Sequence, residues 1–433
     1  MTIVDTTPET FDADIRDELP VLVDFWAPWC EPCRALMPSV DRLAAAYEGR
    51  LKVLKLNIDE AENAWQRFNV RGIPALVFYR EGQEIGRCIG PSTIRLRTMV
   101  EKWLDEAGLD VPLRIDEPLV QPAGAAGRPE RIWHSFDGSE DIKAACVARW
   151  RAAPPTQRSR PLSVLSGEGQ SEQFEGTLGV PAGLGYLLNM LWELAAGLED
   201  SIDEAPQAHA QLTEWIEALP VGVDLSAVTA AVLRDFMCAS PWKISRHFDG
   251  AAHELANRIE LLHARENARG TVSASEWEGL QREAVLLIGT GSKKEERISE
   301  HLESLAYSLN HESAYREVFG ILELIVGEFQ RSGNWTDAEE SQIRQIKEED
   351  GSRAVSELGK PPSLEDESAF YAWHDRYLGR VKALNRRSRA EFPALWLRHD
   401  AVAAYRKTSG QQIAAYLADR LRTHARAAGA ASS

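Results

Sequence analysis

The chain has 433 residues, 66 Asp and Glu against 49 Lys and Arg, and a formal net charge of −17. At about 150 residues per domain, this length favours two or three domains. The negative charge argues against general nucleic-acid binding, because an acidic surface repels the phosphate backbone. No apolar run reaches the roughly 20 residues of a membrane span, so we expect no membrane partner.

The N-terminal residues and the cysteine content together favour the cytoplasm. The chain starts MTIVDTTPETFDADI, which has neither the basic leader nor the apolar segment of a secretory signal. Five cysteines among 433 residues are too few for a secreted disulfide scaffold. A close cysteine pair in a reducing compartment should therefore be redox-active or bind a metal.

Residues 1 to about 108 alternate between strand and helix signals. Short apolar runs predict strands at Val21–Trp26, Leu51–Ile58, Ala75–Tyr79 and Glu84–Ile89. Apolar residues at helical spacing predict helices at Cys33–Tyr47, Ala61–Phe68 and Ser92–Leu104. With a short leading strand and helix before them, these elements predict an α/β sheet covered by helices.

The rest of the chain divides into a region of mixed signals and a long helical region. Residues 109–180 begin with a stretch rich in Pro, Gly and Ala, and we interpret them as a linker and a small irregular or α/β segment. Residues 181–433 show helical periodicity in nearly every window, which predicts an all-α domain of about ten helices. We find no repeat with the period of a helical solenoid.

Two of the five cysteines stand in the sequence WCEPC, just after the strand predicted at Val21–Trp26. Cys30 would lie at the N-terminus of a helix, where unpaired N–H groups and the helix dipole favour a thiolate. A thiolate is the form that attacks a disulfide. Cys33 would follow one turn later, placed to resolve a mixed disulfide. Pro32 fits the first turn because no hydrogen bond is lost there.

The whole of residues 1–108 resembles thioredoxin. The resemblance runs through VDFWAPWCEPC, Pro38, KLNID, VRGIPALVFY and the turn at Gly90. It implies a thioredoxin-like α/β fold and a protein-disulfide reductase. Such an enzyme uses the redox-active disulfide Cys30–Cys33 and binds no cofactor. No flavin- or nicotinamide-binding motif is present in the sequence, so electrons would come from a thioredoxin reductase.

The same resemblance assigns roles around the cysteine pair. Asp24 would be a buried carboxylate beneath the site that assists proton transfer at Cys33. Lys55 would be the buried ionic neighbour of Asp24.

The resemblance also implies a groove for disulfide-containing client proteins. Pro74 would be a cis-proline that faces the cysteines, and the backbone of Ile73 would pair with the client chain. Trp29 and Gly90 would line the groove.

Glu31 departs from the family pattern, which usually has Gly between the first Cys and Pro. A carboxylate beside Cys30 disfavours a second negative charge. We therefore expect Glu31 to raise the pKa of the Cys30 thiol and to shift the redox poise of the site, with Arg34 offsetting part of the effect.

Other interpretations of the cysteines remain open. The Cys30–Cys33 pair could be inherited from a redox-active ancestor without being used, in a domain that only docks a partner. A zinc site is disfavoured, because no second CxxC or HxxxH completes four ligands. Cys88 could be a third redox-sensitive thiol, although we expect a solvent-facing strand cysteine. Cys146 and Cys238 fit helical core positions.

The C-terminal region has one distinctive charge feature. Residues 376–426 contain twelve Lys and Arg against three Asp and Glu. We expect a solvated or acid-paired helical face, and the alternative is a docking surface for an acidic partner or nucleic acid.

Two classes of function follow. The first is a thiol-disulfide oxidoreductase whose helical domain docks clients or an unknown partner. The alternative is a redox-linked holdase chaperone, or a subunit of an assembly, that uses the thioredoxin-like domain for docking.

Overall fold

The computed structural model describes residues 3–60, 67–70, 72–108, 133–156, 159–167, 171–197, 205–267, 272–287, 293–309, 313–362 and 367–432. The chain forms two compact units, and neither is continuous in sequence. The first comprises residues 1–129, 250–259 and 270–306, and the second comprises residues 130–249, 260–269 and 307–433. The boundaries inferred at 108 and 180 stay a prediction. Helical periodicity gave no sign that residues 270–306 belong with the N-terminal sheet.

Five strands form the sheet of the first unit. They are β1 Ile3–Asp5, β2 Val21–Trp26, β3 Lys52–Asn57, β4 Ala75–Arg80 and β5 Gln83–Ile89. Their order is β1-β3-β2-β4-β5, with β1 and β2 parallel to β3 and with β4 antiparallel to both β2 and β5. The predicted fold class is confirmed, and the four strands predicted from apolar runs are all present.

The described residues contain sixteen α-helices. In chain order they are α1 Phe11–Asp14, α2 Glu31–Ala46, α3 Thr93–Glu106, α4 Glu140–Ala152, α5 Pro161–Ser166, α6 Ser171–Leu178, α7 Ala182–Ala196, α8 Pro206–Glu217, α9 Val228–Arg234, α10 Gly250–Asn267, α11 Ala274–Leu286, α12 Lys293–Leu305, α13 Ser313–Ser332, α14 Asp337–Leu358, α15 Glu367–Glu391 and α16 Pro393–Ser432. Most of the helix predicted at Ala61–Phe68 lies outside the described residues.

The central strand β2 is buried on both faces of the sheet, as its continuous apolar run predicts. Val21, Val23 and Phe25 pack into one core cluster together with Cys30 and Cys33. Leu22 packs into the other cluster, whose members include residues of α2 and α3. Because side chains alternate along a strand, Asp24 lies on the Leu22 face.

The two faces of strand β5 are the reverse of what was expected for Cys88. Ile85 and Ile89 are 44% and 46% exposed, whereas Cys88 is only 8% exposed. The Cys88 face packs on α3 so closely that a Cβ atom at Gly86 would clash with the indole of Trp103. The prediction that Cys88 faces solvent is therefore wrong.

Helix α3 is covered both by the sheet and by helix α11, so more of its surface is buried than in a typical surface helix. Arg95 and Arg97 are only 8% and 9% exposed, and Val285 of α11 belongs to the same core cluster as Trp103 of α3. Glu101 of α3 also accepts a 2.6 Å hydrogen bond from Nη2 of Arg282 on α11. The first unit thus combines the N-terminal sheet with a helical segment encoded about 170 residues later.

The second unit is helical and has an aromatic core. Trp150 of α4 and Trp192 of α7 are fully buried, and their rings meet edge to face with centroids 5.4 Å apart. Cys146 is buried, as expected, whereas Cys238 is only partly buried, which departs from the core position expected for it. Across the described residues, no helix is both long and apolar enough to span a membrane.

The basic C-terminal stretch pairs with carboxylates inside the second unit. The pairs include Arg380 with Glu357, Arg389 with Asp400, Arg398 with Glu339, Arg406 with Glu323 and Arg422 with Asp419. These contacts favour the acid-paired helical face over a free docking surface.

Candidate active site

Cys30 is the N-cap residue of helix α2. Its backbone is extended, with φ −80° and ψ 101°, and its Sγ accepts a 3.2 Å hydrogen bond from the backbone N–H of Cys33. Pro32 lies in the first turn, where its missing N–H costs nothing. The free N–H groups and the dipole of the helix are therefore directed at Cys30, as the sequence predicts for a nucleophilic sulfur.

Cys30 and Cys33 form a disulfide with a Cα–Cα distance of 5.3 Å. They are 4% and 2% exposed, so the disulfide lies at the edge of the core. The loop before α2 is fixed by two hydrogen bonds. The backbone N of Cys30 donates to the carbonyl of Ala27 over 3.1 Å, and Nη1 of Arg34 donates to the carbonyl of Pro28 over 2.6 Å. A fixed, nearly buried CxxC disulfide can accept two electrons and return them to another disulfide.

Glu31 is the first residue of α2. Its side chain lies outside the described residues, so its expected effect on Cys30 stays a prediction.

Asp24 is a buried carboxyl group in the first unit. It lies opposite Lys55 of β3 and Leu76 of β4. Asp24 is 3% exposed, and its Oδ1 accepts no hydrogen bond from the part of the chain that the structure describes. Burial raises the pKa of Asp24 to about 7, with Asp41 adding to the rise and the Lys55 ammonium opposing it. A carboxyl group with this pKa can exchange a proton near neutral pH.

Lys55 differs in part from what the resemblance implies. It is half-buried, not buried, and its Nζ lies 5.7 Å from the centroid of the Trp26 ring. A half-exposed ammonium remains solvated, which explains why it offsets only part of the effect of burial on Asp24.

Pro74 and Gly90 are joined by a backbone hydrogen bond. The Ile73–Pro74 peptide bond is cis, and the half-buried Ile73 packs against the core cluster that contains Cys30 and Cys33. Gly90 has a left-handed φ of 57°, and its backbone N donates a 2.8 Å hydrogen bond to the carbonyl of Pro74. The structure thus joins two segments predicted to bind clients, while their role in binding stays a prediction.

Trp29 precedes Cys30 and is 62% exposed. Its Nε1 donates a 2.9 Å hydrogen bond to Oδ2 of Asp59, a residue that the sequence analysis did not select. The only available signal was the position of Asp59 just after β3, in the KLNID segment. An exposed aromatic ring held by a hydrogen bond offers a rigid surface for an incoming chain.

The described residues give the zinc interpretation no support. Within the ranges that the structure describes, no three His, Cys, Asp or Glu side chains are grouped so that they could hold a metal ion.

Comparisons with known proteins agree with this geometry. The family model Thioredoxin matches residues 2–102. A thioredoxin from Synechocystis sp. is 45% identical over 105 residues, which cover 97% of that protein and 23% of this chain. Thioredoxin C-2 from Corynebacterium nephridii is 43% identical over 106 residues, which cover 95% of that protein and 24% of this chain. Together, the fold, the Cys30–Cys33 disulfide and these relatives support a thiol-disulfide oxidoreductase, and the chain belongs to the thioredoxin family.

Proposed function

We propose that the protein reduces disulfides of client proteins through Cys30 and Cys33, with electrons from a thioredoxin reductase. The observation that carries the proposal is the position of the Cys30–Cys33 disulfide at the N-terminus of α2, in a unit whose buried Asp24 has a pKa near 7. We further propose that the reaction takes place in the reducing environment of the cytoplasm.

In the first step, the thiolate of reduced Cys30 attacks one sulfur of the client disulfide. A bond forms between Cys30 Sγ and that sulfur, and the other client sulfur leaves as a thiolate. The Cys33 N–H, which contacts Cys30 Sγ in the disulfide form, supports the negative charge before attack.

In the second step, Cys33 attacks Cys30 Sγ. The Cys33 thiol first loses its proton, and the Asp24 carboxylate is the proposed acceptor. The Cys30–Cys33 bond forms, the mixed disulfide breaks, and the client leaves as its second thiolate. The client has then gained two electrons, and a reductase dithiol supplies two new electrons that reduce the Cys30–Cys33 disulfide again.

Client binding is the proposed role of the surface around Pro74. Ile89 lies opposite Ala75 and is 46% exposed, and the backbone of Ile73 precedes the cis bond. Trp29, beside Cys30 in the chain, is 62% exposed and would complete the surface. An extended client segment would form backbone hydrogen bonds with Ile73, in the manner of peptides that bind through their main chain.

Reduction of insulin with NADPH and thioredoxin reductase tests the proposal. The full chain should reduce insulin, Cys30→Ser should abolish turnover, and Cys33→Ser should accumulate a mixed disulfide with the client. Cys88→Ser is the matched control, because this buried thiol takes no part, and it should retain activity. If the wild-type chain were inactive, or if Cys30→Ser kept its rate, the proposed reductase would be excluded.

The alternative of a holdase chaperone or an assembly subunit has a different signature. A chain that fails to reduce insulin yet suppresses aggregation of a chemically denatured client would support it. The helical unit would then supply the binding surface, and Cys30→Ser would leave that suppression intact.

A further inference from the structure

A buried polar network joins the start of α3 to α12 within the first unit. Nε of Arg95 donates to Oε2 of Glu303 over 2.7 Å, and Nη2 of Arg95 donates to Oγ of Ser299 over 3.1 Å. Arg95, Ser299 and Glu303 are 8%, 0% and 5% exposed. A buried ion pair of this kind holds one arrangement because either charge alone would be costly to bury.

Ser92 connects the network to the first turn of α3. Its Oγ donates to Oε1 of Glu303 and accepts a 3.0 Å hydrogen bond from the backbone N of Arg95. Ser92 is the N-cap of α3, so one hydroxyl both caps the helix and binds a carboxylate from α12. The position of Ser92 is therefore set by two elements that lie about 210 residues apart in sequence.

Ser92 lies two residues after Gly90 in the chain. The backbone N of Gly90 donates to the carbonyl of Pro74 over 2.8 Å. Apart from its two chain neighbours, no described atom lies within 4 Å of the place where a Gly90 side chain would begin, so no side chain packs over Gly90 itself. The loop is held by the Gly90–Pro74 hydrogen bond at one end, by the buried side chain of Pro91, and by the hydrogen bonds of Ser92 at the other end.

We propose that Glu303 is a positioning residue for client binding. Through Ser92, it fixes the loop at residues 90–92, which forms one wall of the proposed client groove beside Pro74. The inference rests on the proposed function, since it assigns the later helical segment a part in binding protein disulfides. Glu303 itself need not contact the client or the reacting sulfurs.

A second ion pair between the same parts of the chain supplies a matched control. Glu101 accepts hydrogen bonds from Nε of Arg97 and from Nη2 of Arg282, at 2.8 and 2.6 Å. This pair also joins α3 to the later segment, but it lies in the second half of α3, away from Ser92. A purely structural role for such contacts would make the Glu101 and Glu303 variants behave alike.

The experiment compares full-length wild type, Glu303→Gln, Ser92→Ala, Ser92→Thr and Glu101→Gln. Insulin reduction gives kcat and KM, and reduction of 5,5′-dithiobis(2-nitrobenzoate) reports the chemistry on a disulfide too small to need the groove. Hydrogen exchange of the Gly90 amide measures the loop directly. Thermal unfolding identifies the variants that fold like wild type. Should Glu303→Gln not fold, Ser92→Ala still tests the inference, because it leaves the Arg95–Glu303 ion pair intact.

We expect Glu303→Gln and Ser92→Ala to raise the KM for insulin by roughly two- to tenfold, the effect of losing one hydrogen bond. Their kcat for the small disulfide should not change, and their Gly90 amide should exchange faster by a similar factor. Ser92→Thr, which keeps the hydroxyl, and Glu101→Gln should resemble wild type.

Unchanged KM and unchanged Gly90 exchange in folded Glu303→Gln and Ser92→Ala would overturn the inference. Equal effects in Glu101→Gln would overturn it as well. If the wild-type chain does not reduce insulin, the proposed function fails, and exchange of the Gly90 amide alone still decides whether Glu303 positions the loop.

Discussion

Asp24 and Lys55 occupy directly opposite positions on the parallel strands β2 and β3, yet the carboxyl of Asp24 stays largely uncompensated. The Lys55 side chain is half-buried and its ammonium lies near the ring of Trp26. Asp24, in contrast, is only 3% exposed. The pKa of Asp24 rises to about 7 because burial outweighs this neighbour. The first unit therefore holds a carboxyl group that costs stability whenever it ionises.

The first prediction concerns stability and pH. The folded protein holds the Asp24 proton up to about pH 7, whereas the unfolded chain releases it near pH 4, so the free energy of unfolding falls as the pH rises between these values. Asp24→Asn should therefore stabilise the oxidised protein by roughly 2–4 kcal/mol at pH 8 and by much less at pH 4. Exchange of the β2 and β4 amides is the measurement, because it reports this unit alone.

Asp17→Asn is the control for that experiment. Hydrogen bonds from the Leu19 backbone and from Lys52 lower the pKa of Asp17, so this carboxylate stabilises the fold when it is ionised. The Asp17 variant should lose stability at pH 8, and a stabilisation equal to that of Asp24→Asn would contradict the explanation by burial.

The second prediction concerns the pH dependence of client release. As the pH rises through about 7, Asp24 becomes a carboxylate that can take the Cys33 proton, so the second step should accelerate over this range. Asp24→Asn should slow that step by about tenfold or more near pH 7. The rise in its rate with pH through about 7 should also be lost in this variant. Single-turnover release from a preformed mixed disulfide gives the rate at each pH. A wild-type profile that is retained in the variant would assign the titration to another group.

The third prediction concerns the reactivity of the five thiols after reduction. Burial raises the pKa values of Cys88 and Cys238 to about 12, and burial also raises the pKa of Cys146. Iodoacetamide at pH 7.5 should therefore label Cys30 first and leave these three unlabelled in the native protein. Mass spectrometry of the peptides reads the sites, and rapid labelling of Cys88 would refute its buried position.

The fourth prediction concerns the packing of α11 on the N-terminal sheet unit. Val285 is 1% exposed and belongs to the core cluster of Leu22 and Trp103, whereas its neighbour Leu286 is 55% exposed. Val285→Ala should destabilise the sheet by roughly 1–3 kcal/mol, and Leu286→Ala should change it by less than about 0.5 kcal/mol. Exchange of the β2 amides measures both. Equal effects would mean that α11 does not contribute to this core.

The fifth prediction concerns Glu31. Removing its charge should lower the pKa of the Cys30 thiol, stabilise the reduced form and make the reduction potential less negative by roughly 10–30 mV. Equilibration of Glu31→Gly with glutathione measures the shift, and Glu31→Gln separates the charge from the backbone freedom of glycine. An unchanged potential in both variants would show that Glu31 does not tune the site.

Local patterns were enough to predict the elements that carry the chemistry. The run Val21–Trp26 is continuous in apolar residues apart from Asp24 because the strand is buried on both faces, and burial of this kind is visible in sequence. The cap at Cys30 was also predictable, since a helix start depends on residues within one turn.

Which elements pack against which face of a strand was not predictable in the same way. Period-two alternation separates the two faces of β5, but the apolar Ile85 and Ile89 lie on its exposed face and Cys88 on its buried one. Which face meets the core depends on the approach of α3, and its Trp103 leaves room only for glycine at position 86.

The sequence by itself determined a thioredoxin-like sheet, its CxxC site and a long helical region. Only the tertiary structure placed α11 and α12 with the N-terminal sheet and brought Glu303 to Ser92. The physical reason is that helical periodicity records which side of a helix is apolar, whereas the surface that covers it is chosen by the shape and charge of residues far away in the chain.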